Sequence, residues 1–151
     1  MKELSSIEAA YIAGIVDGEG SIGIAYTTNR FTLQVSAHNT HEELMDWLAD
    51  KWDSNKYLHQ YRDECWKPIY SVTLSGKRAK ELLIAIAPYM IAKRDRAQLV
   101  LTFPIGGEEG KPRKLSDEDA LQQATIYIQM KALNKRGKTS EDIESIESVE
   151  N

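Results

Sequence analysis

Small residues recur every four positions near the N-terminus, and no other feature limits so narrowly what this chain can fold into. Ala9 and Ala13 fall on one line of a helix and Ala10, Gly14 and Gly18 on the next, with Ile7, Tyr11, Ile12, Ile15 and Val16 between them. Residues i and i+4 share a helix face, and Gly or Ala there lets a second backbone approach closely. Glycine in a helix interior costs about 1 kcal/mol relative to alanine, so Gly14 asks for a packing reason. The stretch then ends in two carboxylates, Asp17 and Glu19, each followed by glycine. Acids at a helix C-terminus sit at the unfavourable end of the macrodipole, so stability alone does not place them there. Two accounts remain open. One is a cation held by carboxylates together with substrate phosphates, the usual protein site for magnesium. The other is a solvated acidic turn capped by glycine.

At 151 residues the chain can bury the core of one domain, and a hydrophobic share of 42% with 28% charged residues fits a soluble globular protein. No apolar run nears the roughly 18 residues of a membrane span. No signal-peptide pattern opens the sequence. The expectation is an intracellular protein, in cytoplasm or an organelle, with no membrane partner. One cysteine, Cys65, excludes an intramolecular disulfide and a Cys-rich zinc site. The net charge of -4 counts against a nucleic-acid ligand, but it is uneven. Glu141, Asp142, Glu144, Glu147 and Glu150 crowd residues 141–151 without a base, which leaves 19 basic against 18 acidic residues before them. Lys77, Arg78, Lys80, Lys93, Arg94 and Arg96 cluster against only Glu81 and Asp95. Local fields decide phosphate binding more than the sum does.

In order, Ser5 and Glu8 form a capping-box pattern that opens a helix from about Ser6 to Asp17. Ser21 to Tyr26 and Phe31 to His38 read as strands joined by Thr27-Thr28-Asn29-Arg30. Phe31, Leu33, Val35 and Ala37 alternate with Thr32, Gln34, Ser36 and His38, which gives one buried and one polar face. Thr40 with Glu43 predicts the next cap, ahead of a helix with Leu44, Trp47, Leu48 and Trp52 at core spacing. Lys56 to Arg62 and Ile69 to Ser75 predict a second hairpin around the loop Asp63 to Pro68. Gly76 precedes a helix from Lys77 to Ile86 that buries Leu82, Leu83 and Ile86, and Pro88-Tyr89 stops it. A further helix spans about Ala92 to Thr102, a loop covers Gly106 to Pro112, and Ser116 caps a helix from Asp117 to Leu133, apolar at Leu121, Ala124, Ile128 and Leu133. Asn134 to Lys138 is a basic turn, and Thr139 to Val149 an acidic helix. The fold class is α+β: an αββαββα order with a four-stranded antiparallel sheet, helices on one face, and extra C-terminal helices.

The segment Ile12-Ala13-Gly14-Ile15-Val16-Asp17-Gly18-Glu19-Gly20 resembles the LAGLIDADG motif of homing endonucleases, with Ala13, Gly14, Asp17 and Gly20 identical. Glu19 stands where the motif has its metal-binding aspartate. Three more stretches are similar to the single-motif branch of that family: Pro88 to Leu99, with Lys93 in the place of a lysine near the scissile phosphate; Lys131 to Thr139, like a C-terminal turn on the DNA backbone; and His38-Asn39-Thr40, where a polar residue orients water. The register slips there by one, so His38 and Asn39 both stay candidates.

The resemblance covers about residues 5–140. It implies an endonuclease domain over 1–140 and an acidic tail over 141–151. It also implies a site-specific, metal-dependent DNA endonuclease, intron-encoded in type, that cuts a long pseudo-palindrome as a homodimer. Glu19 and the Gly18 carbonyl would hold Mg2+, or Mn2+ or Ca2+ in its place, and Lys93 with His38 or Asn39 would complete the catalytic set. Ala10, Ala13, Gly14 and Gly18 would form the two-fold seam. Double-stranded DNA would lie on Ser21, Gly23, Ala25, Thr27, Asn29, Arg30, Thr32, Gln34 and Ser36 of the first hairpin and His59, Tyr61, Ser71 and Thr73 of the second. Lys135, Arg136 and Lys138 would touch phosphate. The alternative is a non-cleaving DNA- or RNA-binding relative, a maturase or regulator, which the acidic charge and the Glu19 substitution favour.

Overall fold

The computed structural model describes residues 2–59, 67–106 and 115–134. The chain divides after Leu101 into two compact units. In the first, helix α1 spans Ser6–Glu19 and begins as the capping box requires. The Glu8 N–H donates to Ser5 Oγ at 3.2 Å, and the Ser5 N–H donates to the Glu8 carboxylate at 2.9 Å. Ala9, Ile12, Ala13 and Val16 form its buried face. The helix runs two residues past Asp17 and turns straight into a strand at Gly20. A Cβ there would fall 2.7 Å from the Val16 Cα and 2.8 Å from the Ser36 carbonyl oxygen, so only glycine permits that passage.

Strands β1 (Gly20–Thr27) and β2 (Arg30–Asn39) form a hairpin in which Thr27 pairs with Arg30. The connection is therefore two residues, Thr28 and Asn29, with φ of 51° and 58°. These are the positive φ values of a type I′ turn, whose twist matches that of the strands it joins. The predicted four-residue link is this turn plus its first ladder pair. Helix α2 (Glu42–Trp52) is capped by His41, whose Nδ1 accepts from the Leu44 N–H at 3.3 Å, and not by Thr40. Met45, Leu48 and Trp52 enter the core, while Leu44 and Trp47 stay partly exposed.

Strands β3 (Lys56–His59) and β4 (Ile69–Ser75) complete a sheet ordered β1-β2-β4-β3, antiparallel throughout. Gly76, with φ +58°, makes the sharp entry into α3 (Gly76–Ile86), which buries Ala79, Leu82, Leu83 and Ile86. A 3-10 turn at Ala87–Tyr89 leads towards α4 (Arg94–Leu101). This helix starts two residues later than the predicted Ala92. Ile22, Leu33, Val35, Ala37, Val72 and Leu74 are the sheet's contribution to the core, all from one face, with α1, α2 and α3 contributing against it.

The second unit contains α5 (Asp117–Asn134), capped by Ser116 through the Asp119 N–H at 3.1 Å. Its buried line is Gln123, Ile126 and Met130, whereas Leu121 and Ile128, two of the four positions of the apolar pattern, are 70% and 66% exposed. Polar anchoring decides this. The Gln123 amide donates to the Pro104 carbonyl at 2.8 Å and the Gln122 amide to the Thr102 carbonyl at 3.1 Å. Gln122 is exposed, but Gln123 is only 4% exposed and a buried amide must keep its partner, so the Gln123 bond favours this rotation over a loose apolar pattern. Among the described residues no helix is long and apolar enough to cross a membrane.

Candidate functional site

The sheet face opposite the core is built by register. Ser21, Gly23, Ala25 and Thr27 of β1 pair with Ser36, Gln34, Thr32 and Arg30 of β2. Gln34, Ser36 and His38 in turn pair with Ser75, Thr73 and Ser71 of β4, and Ser71 pairs with Tyr57 of β3. The period of two therefore puts ten of the predicted contact residues on one hydroxyl-rich surface, with Arg30 among them at its rim, His59 joining them through Ser71. Cross-strand bonds order it: the Ser21 and Ser36 hydroxyls lie 2.7 Å apart, and His59 Nε2 lies 2.8 Å from the Ser71 hydroxyl. The His38 and His59 rings are 6.5 Å apart. Asn29 sits in the turn, where its Oδ1 accepts from the Tyr26 hydroxyl at 3.1 Å.

Asn39 pairs with Tyr70 and so belongs to the opposite face, where its Oδ1 accepts from the His41 N–H at 2.8 Å. The register left open by the sequence thus puts His38, not Asn39, on the polar surface. Tyr57 and Ser75 share this surface and were missed, although Tyr57 has the parity of His59 and was legible from it. Tyr61, Cys65, Lys135, Arg136 and Lys138 lie outside the described residues, as do most of the predicted loop to Pro112, the acidic helix and the 141–151 tail.

At the end of α1 the two motif acids diverge. Glu19 is the last helical residue and is exposed, and among the described residues none forms a hydrogen bond or ion pair with its carboxylate. Asp17 is fully engaged. Its Oδ2 accepts from the Ile91 N–H at 2.7 Å and the Ala92 N–H at 3.2 Å, and its Oδ1 from the Lys93 N–H at 2.9 Å. These donors form the turn ahead of α4, which is why that helix begins only at Arg94. Burial pushes the Asp17 carboxyl up, but the donors from Ile91, Lys93 and Ala92 outweigh it and hold the group below the usual aspartate value.

Lys93 answers in the other direction. Its ammonium donates to the Val16 carbonyl at 2.8 Å and to the Asp17 carbonyl. α1 has no basic residue in its own last turn, so Lys93 supplies the cation that the helix end favours. Burial draws the Lys93 ammonium below its ordinary value, Arg96 adds to this, and the charges of Asp17 and Glu19 oppose it. Arg78 does the same for α2, donating to the Trp52 carbonyl at 2.7 Å and to that of Asp53.

The seam prediction divides along the two small-residue lines. Ala13 is 0% exposed and belongs to the core face of α1, so within this chain its methyl is not on the open stripe. Ala10, Gly14 and Gly18 are exposed, and a Cβ on either glycine would meet nothing within 4 Å. Ile7, 81% exposed, and Tyr11, 55% exposed, lie on the same stripe.

The fold is that of solved LAGLIDADG homing endonucleases. I-CvuI, in complex with its target in the presence of 2 mM Ca, is matched at a TM-score of 0.63 and 18% identity over 93% of this chain and 92% of that one. The archaeal intron-encoded homing endonuclease I-Vdi141I, complexed with DNA, is matched at 0.64 and 13% identity over 95% and 94%. The LAGLIDADG meganuclease I-AabMI, bound to uncleaved DNA, is matched at 0.52 and 15% identity over 90% of this chain but 48% of that one. No protein-family model and no curated protein sequence matches the chain.

Proposed function

We propose that this protein is a site-specific endonuclease that cleaves duplex DNA as a homodimer with a divalent metal. The observation that carries the reading is the end of α1: an exposed carboxylate, Glu19, on a helix whose outer stripe is apolar and small. A helix that is apolar on both sides calls for a partner. The stripe Ile7, Ala10, Tyr11, Gly14, Gly18 suits a second copy of itself, which would bring two Glu19 carboxylates together. Coverage of only about half of I-AabMI is consistent with two copies acting as one unit.

Within one protomer, no group of three or more His, Cys, Asp or Glu among the described residues is placed to hold a metal ion. Glu19 and the Gly18 carbonyl are hard oxygen donors of the kind that suit Mg2+, Mn2+ or Ca2+. The partner's helix end and DNA phosphate would supply the rest. When bound, the ion would supply charge stabilisation at the reacting phosphate. The remaining roles fall to side chains. Lys93 holds a positive charge one turn from Glu19, where negative charge develops, and His38 orients water from the polar sheet face. The hydroxyls, Gln34 and Arg30 of that face read base edges in the major groove. β2, ten residues long, spans about 33 Å at about 3.3 Å per residue, or about ten base pairs. A dyad then implies a pseudo-palindrome of roughly 20 pairs.

Selection of cleaved sites from a randomised duplex library, with and without Mg2+, tests the reading. Recovery of one dyad-related site only with the metal is the expected result. A second reading, a DNA- or RNA-binding protein that does not cut, is favoured by one observation: the Lys93 ammonium is already bonded to two backbone carbonyls. Retention of one selected sequence without strand breaks would establish it.

A further inference from the structure

Asp17 carries an unfavourable charge for its own helix, and Lys93, at the N-terminal boundary of α4, does the same for its own. Each stands at the favourable end of the other's helix. Asp17 takes three N–H groups ahead of α4, and Lys93 reaches back to two carbonyls of the last turn of α1. Those carbonyls, of Val16 and Asp17, immediately precede Gly18 and Glu19. The Gly20 N–H closes the same turn by donating to the Val16 carbonyl.

Resting on the endonuclease reading above, we infer that Asp17 is a positioning residue for cleavage: through the Ile91–Lys93 turn it fixes the Lys93 ammonium, and through that ammonium the turn that presents Gly18 and Glu19. Asp17 itself is not placed to ligate a metal, because both carboxylate oxygens already accept backbone donors. The two acids of the motif thus have separate tasks, one inward and one outward. Lost bonds at Asp17 would displace Glu19 without removing any group that touches DNA.

Asp17→Asn keeps size and removes the charge that gathers three donors. On a selected target, it is expected to lower kcat by about a hundredfold, the effect of a small misplacement at a reacting centre, and to leave KM within about threefold. Lys93→Met combined with it should cost little more than either change alone, and Lys93→Arg, alone in the native background, should retain part of the rate that Lys93→Met loses. Asp17→Glu serves if Asp17→Asn does not fold. A native rate in the Asp17 variant, or multiplying effects in the double variant, would overturn the inference. Amide hydrogen exchange supplies a readout free of cleavage. Asp17→Asn should speed exchange at Ile91, Ala92 and Lys93 and also at Gly18, Glu19 and Gly20. Acceleration confined to the first three refutes the coupling. If the wild-type protein cuts no selected site, the endonuclease reading fails, and the exchange pattern alone decides whether Asp17 positions the Glu19 turn.

Discussion

His59 Nε2 lies 2.8 Å from the hydroxyl of Ser71, a serine only 4% exposed that faces His38 on the next strand. One serine thus fixes an imidazole on a surface that would otherwise hold it loosely. Ser71→Ala should leave the core unchanged and release that ring, with a loss of about 1 kcal/mol in discrimination at the base it faces. Arg30→Ala and Gln34→Ala should each relax preference at one position of each half-site by about 1 to 3 kcal/mol. Lys138→Ala should weaken all sequences alike and flatten the salt dependence. Profiling the four variants against single-base target variants checks this. A changed base preference for Lys138→Ala alone would move the DNA to another surface.

Gly14→Leu should leave the protomer folded and abolish association. A Cβ at Gly14 meets nothing within 4 Å in the chain itself, so the proposed second copy is what a leucine there is expected to obstruct. Sedimentation velocity at micromolar concentration, paired with a thermal melt, reads both halves. A Gly14→Leu protein that still sediments as a dimer excludes α1 as the seam.

Glu19→Gln should stop cleavage while target binding stays within about threefold, because it removes a charged ligand and keeps shape and hydrogen-bonding groups. Cleavage in Mg2+ and binding in Ca2+, measured on the same duplex, separate the two. Native-rate cutting by this variant would end the catalytic assignment of Glu19.

Glu8 should set part of the acid limb of stability. Its bond to Lys51, then the Ser5 backbone and hydroxyl donors, hold its carboxyl at about 2 against an ordinary 4.5. A folded value below the unfolded one adds stability above pH 4.5, and that stability is lost as the pH falls towards 2. Glu8→Gln should therefore be less stable than wild type at pH 7, with the difference vanishing near pH 2. Urea melts at three pH values measure it, and a constant gap between the proteins down to pH 2 would contradict the assignment.

Local chemistry was legible where one residue type has one strong reason to be in place. Ser5 with Glu8, Gly76, and the alternation through β2 all predicted the elements that form. Three outcomes were not legible. His41 took the α2 cap from Thr40, since both side chains can accept a backbone N–H and the chain entering from β2 decides between them. The rotation of α5 followed the buried Gln123 amide, whose partner at Pro104 lies some twenty residues away. Ala13 and Gly14 are adjacent small residues of one motif, yet one is buried and the other open.

By itself the sequence determined the order of elements, the two small-residue lines and the polar parity of the sheet, because helix and strand periods depend only on neighbouring residues. Tertiary structure decided which line of α1 faces the core, that His38 rather than Asn39 shares the polar face, and that Asp17 turns inward while Glu19 remains exposed. Those choices rest on bonds across long sequence separations, above all between Asp17 and the turn at Ile91–Lys93. No local pattern encodes such a bond, since its free energy exists only once both helix ends have been brought together.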